Sequence, residues 1–112
     1  MRKTGKLDYL ELSAAGGALD SVKAFYSSAF GWSFTDYGPS YSAFEEGLDG
    51  GFQTETNAKP LPILYSENLE ETLKAVESAG GRILRPIFSF PGGRRFHFAD
   101  PAGNELAVWS ET

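Results

Sequence analysis

The single histidine of this chain, His97, lies close in sequence to three other residues that could hold a metal or move protons. Asp100, Asn104 and Glu105 all follow it within eight positions, in the stretch FHFADPAGNELAVW. Imidazole, carboxylate and amide groups in such proximity can serve a metal site or an acid–base site. The same stretch also suits a polar turn between two strands, because Asp, Pro, Gly and Asn all favour tight turns. Both interpretations stay open until the elements that position these side chains are known.

The composition of the chain excludes several classes of function. The 112 residues fit one domain, which we assign to residues 1–112. The absence of cysteine excludes disulfides, thiolate metal sites and cysteine catalysis. The net charge is −5 and the basic residues form no run longer than a pair, as at Arg94-Arg95, so we expect no binding to nucleic acid. No long apolar run follows the basic N-terminus, so we expect no signal peptide, no membrane span and a cytoplasmic location.

An internal repeat with an offset of 50 residues organises the chain. Residues 19–31 and 69–81 both begin with Leu and an acid, carry Ala ten positions later and end near glycine. Their apolar residues recur with the period of a one-faced helix. Predicted strands flank both helices, so each half has the order β-α-β-β-β. Module one covers about 7–55, module two about 60–111, and residues 55–60 link them.

The predicted strands form a hairpin at the end of each module. The eight predicted strands span, in order, residues 7–12, 32–37, 40–45, 48–54, 61–65, 82–88, 94–99 and 105–110. Residues 100–104, DPAGN, form the turn of the second hairpin. Residues 89–95 could be a lid over a binding cleft, or an ordinary Pro-Gly connection between strands.

Four motifs in this order resemble those of the vicinal oxygen chelate superfamily, which includes glyoxalases, bleomycin-resistance proteins and extradiol dioxygenases. They are FYxxxFGW at 25–32, NLE at 68–70, AGG at 79–81 and DPxGN at 100–104. The resemblance extends over nearly the whole chain. It implies a glyoxalase-like α+β fold, in which two βαβββ modules form an open, barrel-like cleft with the helices outside. It also implies a homodimer, a common assembly among small two-module members.

Metal-dependent members of that superfamily take four ligands from the first and last strands of the two modules. The resemblance places these positions at Glu11, Gln53, Leu61 and Ala107. An insertion within residues 14–18 would move the first of them to Tyr9. Leucine and alanine cannot bind a metal, and a divalent ion needs three or four donors. We therefore predict neither the usual metal site nor another cofactor; a divalent ion held by Glu11, His97 and Gln53 is the alternative.

Strand alternation predicts which side chains face the cleft. In residues 94–99, Phe96 and Phe98 should face the helix, which leaves Arg95 and His97 for the cleft. In residues 105–110, Leu106 and Val108 should face the helix. The predicted ligand-binding residues are Tyr9, Glu11, Gln53, Tyr65, Arg95, His97 and Trp109.

Three functions are compatible with these residues. The first is a metal-independent protein that binds a small, planar or aromatic molecule between the aromatic side chains, oriented by Glu11, His97 and Arg95. The second is a metal-dependent lyase or dioxygenase with unusual ligands. The third is a structural or regulatory protein that has lost its site. The sequence leaves open whether the protein is an enzyme.

Overall fold

The structure, a computed structural model, describes residues 2–14, 19–54 and 59–112, which form two compact units. The N-terminal unit is Tyr9–Leu61, and the C-terminal unit combines Pro62–Thr112 with Met1–Asp8. The elements in chain order are β1 (Leu7–Ser13), α1 (Leu19–Phe30), β2 (Thr35–Asp36), β3 (Tyr41–Glu45), β4 (Asp49–Gln53), β5 (Leu61–Tyr65), α2 (Leu69–Ser78), β6 (Arg82–Phe90), β7 (Gly93–Ala99) and β8 (Glu105–Ser110). The order β-α-β-β-β therefore occurs twice, and the predicted α+β class is confirmed.

In the N-terminal unit, four strands lie in the order β2-β3-β4-β1 and pack one face against α1. The last strand, β4, runs parallel to β1 and antiparallel to β3. The buried core residues of this unit are Ala14, Leu19, Phe44 and Phe52. Leu12, Val22, Tyr26, Trp32 and Phe34 pack against them. The helix is less one-sided than its sequence predicts, since Phe25 and Phe30 are 57% and 65% exposed.

The C-terminal unit repeats this plan with the strand order β5-β8-β7-β6 and with β8 parallel to β5. Leu69, Phe96 and Val108 form its buried core under α2. The helix begins at Asn68, whose side chain accepts a hydrogen bond from the backbone N–H of Glu71. It ends before Gly80, whose positive φ of 100° suits a left-handed helix end, as predicted.

Two strands differ from their predicted limits by two or more residues at one end, and the others differ by at most one residue at either end. The first, β2, has only two residues, and Trp32 and Phe34, which precede it, pack against the core. The second, β6, continues to Phe90 and pairs there with Gly93 across a Pro91-Gly92 turn. The positive φ of Gly92, 111°, allows this tight turn. The predicted lid is therefore wrong, and the Pro-Gly connection is confirmed.

Parts of two sequence predictions lie outside the described residues. They are residues 15–18 of the suggested insertion and residues 55–58 of the linker. Within the described ranges, no helix has both the length and the apolar content needed to cross a membrane.

Candidate functional site

The sheet face opposite α2 brings three of the predicted ligand-binding residues together. Across β7 and β8, Arg95 pairs with Trp109, and His97 pairs with Ala107. Their neighbours Phe96 and Val108 are buried in the helix-side core. The predicted alternation of these two strands is therefore confirmed, and Arg95, His97 and Trp109 share the face away from the helix.

Strand β6 adds an arginine and two phenylalanines to that face. The guanidinium carbon of Arg85 lies 3.6 Å from the ring centroid of Phe88, and that of Arg95 lies 5.5 Å from the same centroid. Arg95 is also 5.8 Å from the centroid of Phe90. Both distances to Phe88 are within the range of cation–π attraction. We call the set Arg85, Phe88, Phe90, Arg95, His97 and Trp109 the cationic aromatic surface.

Sequence reasoning missed Arg85, Phe88 and Phe90 because β6 is irregular. Arg85 pairs with His97 and Phe88 pairs with Arg95, so three steps along β6 match two along β7. Another irregularity lies between Ile83 and Arg85. A β-bulge turns the following side chains to the other face and often lies beside a functional site. Simple alternation could not show these shifts, although Pro86 lies within one of them and proline in a strand is typical of an edge or a bulge.

His97 is the buried polar group of this surface. It is 7% exposed, and its Nδ1 lies 3.0 Å from Oε2 of the half-exposed Glu105. Since a carboxylate can only accept, Nδ1 carries the hydrogen and Nε2 keeps a lone pair. The Nε2 atom is buried and makes no hydrogen bond with any described residue. A buried polar atom without a protein partner is uncommon in folded proteins.

The surroundings of His97 favour its neutral form. Burial lowers the pKa of His97 below its ordinary value of 6.5. The hydrogen bond to Glu105 opposes this effect, while the charges of Arg95 and Arg85 add to it. At pH 7 the imidazole is therefore neutral, with an accepting nitrogen beside two guanidinium groups.

Trp109 and Tyr65 form the aromatic edge of the same face. Their ring centroids are 5.4 Å apart, and Phe90 lies 6.3 Å from Trp109. The indole N–H of Trp109 donates to Asp8 at 2.9 Å, and the hydroxyl of Tyr65 donates to Glu111 at 3.1 Å. Because both polar ends already have partners, these residues offer ring surface rather than acid–base groups.

The two adjacent arginines of β7 have different surroundings. The guanidinium group of Arg94 makes two hydrogen bonds to Glu70 of α2, at 2.7 and 3.2 Å. This contact places Arg94 on the helix side and lowers the pKa of Glu70. Arg95 points to the opposite face, toward Phe88 and Phe90. The pair therefore offers a matched test of which face binds a ligand.

The polar turn beside His97 is explained by its own hydrogen bonds. The backbone N–H groups of Ala102 and Asn104 donate to Asp100 Oδ1 at 2.8 and 2.9 Å. The side-chain amide of Asn104 donates to Oδ2, and these bonds lower the pKa of Asp100. Asp100 and Asn104 therefore build the turn, whereas His97 and Glu105 meet across the strands that leave it.

The other three predicted residues, Tyr9, Glu11 and Gln53, lie in the N-terminal unit. The hydroxyls of Tyr9 and Tyr41 are hydrogen-bonded to each other. They lie over Gly51, where an added Cβ would meet both tyrosines. Glu11 is 6% exposed. Burial raises the pKa of Tyr41, and the charge of Glu11 raises it further. Their role as ligand contacts stays a prediction.

The four positions that the resemblance assigns to metal ligands do not carry a suitable set of donors here. Glu11 and Gln53 are oxygen donors, but Leu61 and Ala107 have none. Within residues 2–14, 19–54 and 59–112, no three His, Asp or Glu side chains are grouped closely enough to share an ion. The residues present therefore do not fit the usual divalent metal.

A separate cavity of about 320 Å³ lies in the N-terminal unit, beside α1. Its lining residues are Ser13, Ser21, Val22, Phe25, Tyr26 and Phe52. None of the predicted ligand-binding residues lines it, and its hydroxyl and apolar groups suggest no acid–base chemistry.

Comparison with known proteins identifies the family. Residues 6–108 match the family model of the Glyoxalase/Bleomycin resistance protein/Dioxygenase superfamily. This match confirms the resemblance inferred from the order of the four motifs. No curated protein matches the chain in sequence.

Solved structures share the fold at low sequence identity. An NAD-dependent benzaldehyde dehydrogenase from Legionella pneumophila matches with a TM-score of 0.73 and 14% identity, over 93% of this chain and 98% of that one. A methylmalonyl-CoA epimerase from Mycobacterium tuberculosis gives 0.70 and 12%, over 100% and 91%. A Mn(II)-bound glyoxalase from Novosphingobium aromaticivorans gives 0.68 and 19%, over 99% of this chain but 40% of that one. At these identities the likeness establishes the fold alone.

Proposed function

We propose that this chain, which belongs to the Glyoxalase/Bleomycin resistance protein/Dioxygenase superfamily, is a small-molecule-binding protein that works without the usual metal. Its ligand is an organic anion with a flat, aromatic part, and the cationic aromatic surface holds it. The observation that carries the proposal is the position of Arg85 and Arg95 over Phe88, beside the buried Nε2 of His97.

The charges on this surface indicate that the ligand has an anionic part. The whole chain has a net charge of −5, yet Arg85 and Arg95 both lie over one aromatic ring. Guanidinium groups bind carboxylates through charge-assisted hydrogen bonds, which are stronger than neutral ones. A carboxylate is therefore a better partner for this surface than a neutral group.

The rings that surround the arginines indicate that the ligand has an aromatic part. Phe88 lies 5.8 Å from His97, and Phe90 lies 6.3 Å from Trp109, between ring centroids. Such rings offer stacking surface to a flat ligand at low cost in side-chain entropy. Tyr65 extends this surface beside Trp109.

Titration with phenylacetate, an aromatic carboxylate, tests the proposal, with 2-phenylethanol as the matched neutral compound. The chain has two tryptophans, so two indole N–H signals can be followed by NMR. We expect phenylacetate to shift the signal of Trp109 but not that of Trp32, and to bind more tightly than 2-phenylethanol. Equal binding of the two compounds, or no binding of either, would contradict an anion site.

Arg94→Gln and Arg95→Gln provide the matched variants. Loss of a charge-assisted bond costs ~1.5–3 kcal/mol, which is roughly a 10- to 100-fold rise in Kd for Arg95→Gln. Arg94→Gln should leave Kd unchanged, because Arg94 contacts Glu70 on the other face. Equal effects of the two substitutions would count against the proposed surface.

The homodimer implied by the family stays a prediction, which light scattering can measure. If the protein were only a structural or regulatory partner, neither aromatic compound would bind.

A further inference from the structure

We propose that Arg2 is an internal stand-in for part of the ligand, so that the preferred ligand carries a cationic group next to its aromatic ring and takes the place of Arg2. This inference rests on the proposed function, since the ring of the ligand must first reach the cationic aromatic surface. It adds a second charged group to the ligand, at the end opposite its carboxylate.

The guanidinium group of Arg2 covers the ring of Trp109. Its central carbon lies 4.9 Å from the ring centroid, within the range of cation–π attraction. Two carboxylates accompany it, since Nε of Arg2 is 3.4 Å from Oδ2 of Asp8 and Nη1 is 3.9 Å from Oε2 of Glu111. A cation supplied by the chain itself therefore lies on the aromatic edge of the proposed binding surface.

The segment before β1 brings Arg2 to this place. The backbone N–H of Gly5 donates to the carbonyl oxygen of Tyr65 at 2.8 Å, and the N–H of Tyr65 donates to the carbonyl oxygen of Lys6 at 3.1 Å. These bonds join the segment to β5 within the C-terminal unit, which includes Met1–Asp8. The backbone of the segment can therefore stay bound to the strand when the side chain of Arg2 leaves the ring.

The two carboxylates are positioned by bonds that do not involve Arg2. Asp8 accepts from the indole N–H of Trp109 at 2.9 Å, and Glu111 accepts from the hydroxyl of Tyr65 at 3.1 Å. Both carboxylates therefore stay beside the rings when Arg2 is displaced. A ligand with a neutral end would take away the cation that faces them, whereas an ammonium or guanidinium group on the ligand replaces it.

Opposite charges thus lie at the two ends of one aromatic surface. At the cationic end, Arg85 and Arg95 lie over Phe88. Phe90 follows, 5.8 Å from the guanidinium carbon of Arg95 and 6.3 Å from the ring centroid of Trp109. The acidic pair lies beyond Trp109. A ligand with one ring, a carboxylate on one short arm and a cation on the other matches this order of charges.

Arg2 is held weakly enough for a ligand to displace it. Its side chain is 45% exposed, and that of Glu111 is 56% exposed. Ion pairs at such positions contribute little, because water and salt screen them. The cation of a ligand is screened in the same way, so the preference for it should be modest and measurable.

Titration with 4-(aminomethyl)phenylacetate tests the proposal, with 4-(hydroxymethyl)phenylacetate as the matched neutral-ended compound. The two have the same length and differ only in an ammonium against a hydroxyl group. The Kd of the ammonium compound should be ~2- to 10-fold lower, the range that exposed ion pairs give. Equal Kd values would overturn the proposal.

Displacement of Arg2 can be followed by proton NMR. The Nε–H signal of Arg2 reports on its position beside Asp8 and Trp109, and its absence in Arg2→Ala assigns it. At saturation with 4-(aminomethyl)phenylacetate, this signal should move to the position of an exposed arginine, together with a shift of the Trp109 indole signal. A shift of Trp109 while the Arg2 signal stays in place would overturn the proposal.

Arg2→Ala and Lys3→Ala provide the matched variants, because each removes one cation from the same segment. Arg2→Ala removes the internal competitor, so the Kd of 4-(aminomethyl)phenylacetate should fall by ~2- to 10-fold. Lys3→Ala should leave this Kd unchanged, because the cation over the Trp109 ring belongs to Arg2. Equal effects of the two substitutions would reflect overall charge alone and would overturn the proposal.

Glu111→Gln tests the acidic end of the surface. The amide oxygen can still accept from the hydroxyl of Tyr65, but the negative charge is lost. The preference for the ammonium compound should decrease, while the Kd of the hydroxyl compound should not rise. An unchanged preference would overturn the proposal.

The two proposals fail in different ways. If both compounds bind at Trp109 with equal Kd, the stand-in role of Arg2 is overturned and the binding function stands. If neither these compounds nor phenylacetate binds to the wild type or to Arg2→Ala, the proposed function fails, and the stand-in proposal fails with it.

Discussion

The sheet faces that turn away from the helices differ in chemistry between the two units. In the N-terminal unit, the hydroxyls of Tyr9 and Tyr41 share a hydrogen bond beside Gly51. In the C-terminal unit, the corresponding face carries Arg85, Arg95, aromatic rings and a histidine whose Nε2 makes no bond with a described residue. The helix-side faces, in contrast, are alike, since both are buried apolar cores.

The difference between these two faces indicates where functional residues are to be sought in a repeated fold. One face of each sheet is restricted by packing against its helix, so both units keep large apolar side chains there. The opposite face is less restricted and can carry different chemistry in each repeat. We therefore assign ligand binding to the C-terminal unit on the charges and rings that it presents.

The largest expected effect concerns the buried apolar cores, which the two units have in common. Phe96 is fully buried in the C-terminal unit, and Phe52 is 2% exposed in the N-terminal unit. Either residue changed to Ala should lower the free energy of unfolding by ~3–5 kcal/mol. Urea unfolding measures both losses. Phe25→Ala is the control, because Phe25 is 57% exposed. If either core variant were as stable as the control, the two cores would not be equivalent.

The next effect tests the assignment of binding to one unit. Arg95→Gln should weaken phenylacetate binding by ~1.5–3 kcal/mol, through loss of a charge-assisted bond. Tyr41→Phe in the N-terminal unit should leave the affinity unchanged. Calorimetric titration of both variants compares the units directly. A larger loss of affinity with Tyr41→Phe than with Arg95→Gln would place the binding site in the N-terminal unit.

A smaller effect distinguishes the two neighbouring glycines of β4. A Cβ at Gly50 would lie 2.5 Å from the backbone oxygen of Leu10, which the paired strand holds in place. The three atoms nearest to a Cβ at Gly51 belong to the side chains of Tyr9 and Tyr41, which can move. Gly50→Ala should therefore destabilise the protein by ~1–3 kcal/mol, as overpacking does. Gly51→Ala should cost less in the same thermal unfolding measurement and should separate the two hydroxyls.

The smallest effect is the pH dependence of stability between pH 6.5 and 5. Because burial lowers the pKa of His97, the unfolded chain binds its proton more readily than the folded chain. The stabilisation from neutral His97 is present above pH 6.5 and is lost as the pH falls through the lower, folded-state pKa. The melting temperature should therefore decrease over this range, and His97→Gln should decrease less. Parallel curves for the two proteins would show that burial does not disfavour the charged imidazole.

Much of the fold follows from sequence because its signals are local. The repeat of residues 19–31 at 69–81 located both helices, and the glycines after them mark the helix ends. Alternation placed Arg95, His97 and Trp109 on one face, since β7 and β8 pair without interruption. The turn at residues 100–104 also follows from its residue types, which bond to their own backbone.

The remaining features depend on contacts that a single sequence does not show. The irregularities in β6 bring Arg85 and Phe88 onto the same face as His97, and Pro86 marks the place of only one of them. Phe25 and Phe30 are exposed although their helical spacing predicts that they face the core. The bond between His97 and Glu105 crosses the hairpin diagonally, because His97 pairs with Ala107 and Ala99 pairs with Glu105.

The most direct test of the binding face is a long-range proton–nitrogen NMR spectrum of His97, recorded with and without phenylacetate. The chain has one histidine, so its two ring nitrogens can be assigned without ambiguity. We predict a neutral ring with the hydrogen on Nδ1 in the free protein. Phenylacetate should then shift Nε2 together with the indole signal of Trp109, while Trp32 stays unchanged. An unchanged His97, or a shift of Trp32 alone, would contradict a ligand site on the C-terminal unit.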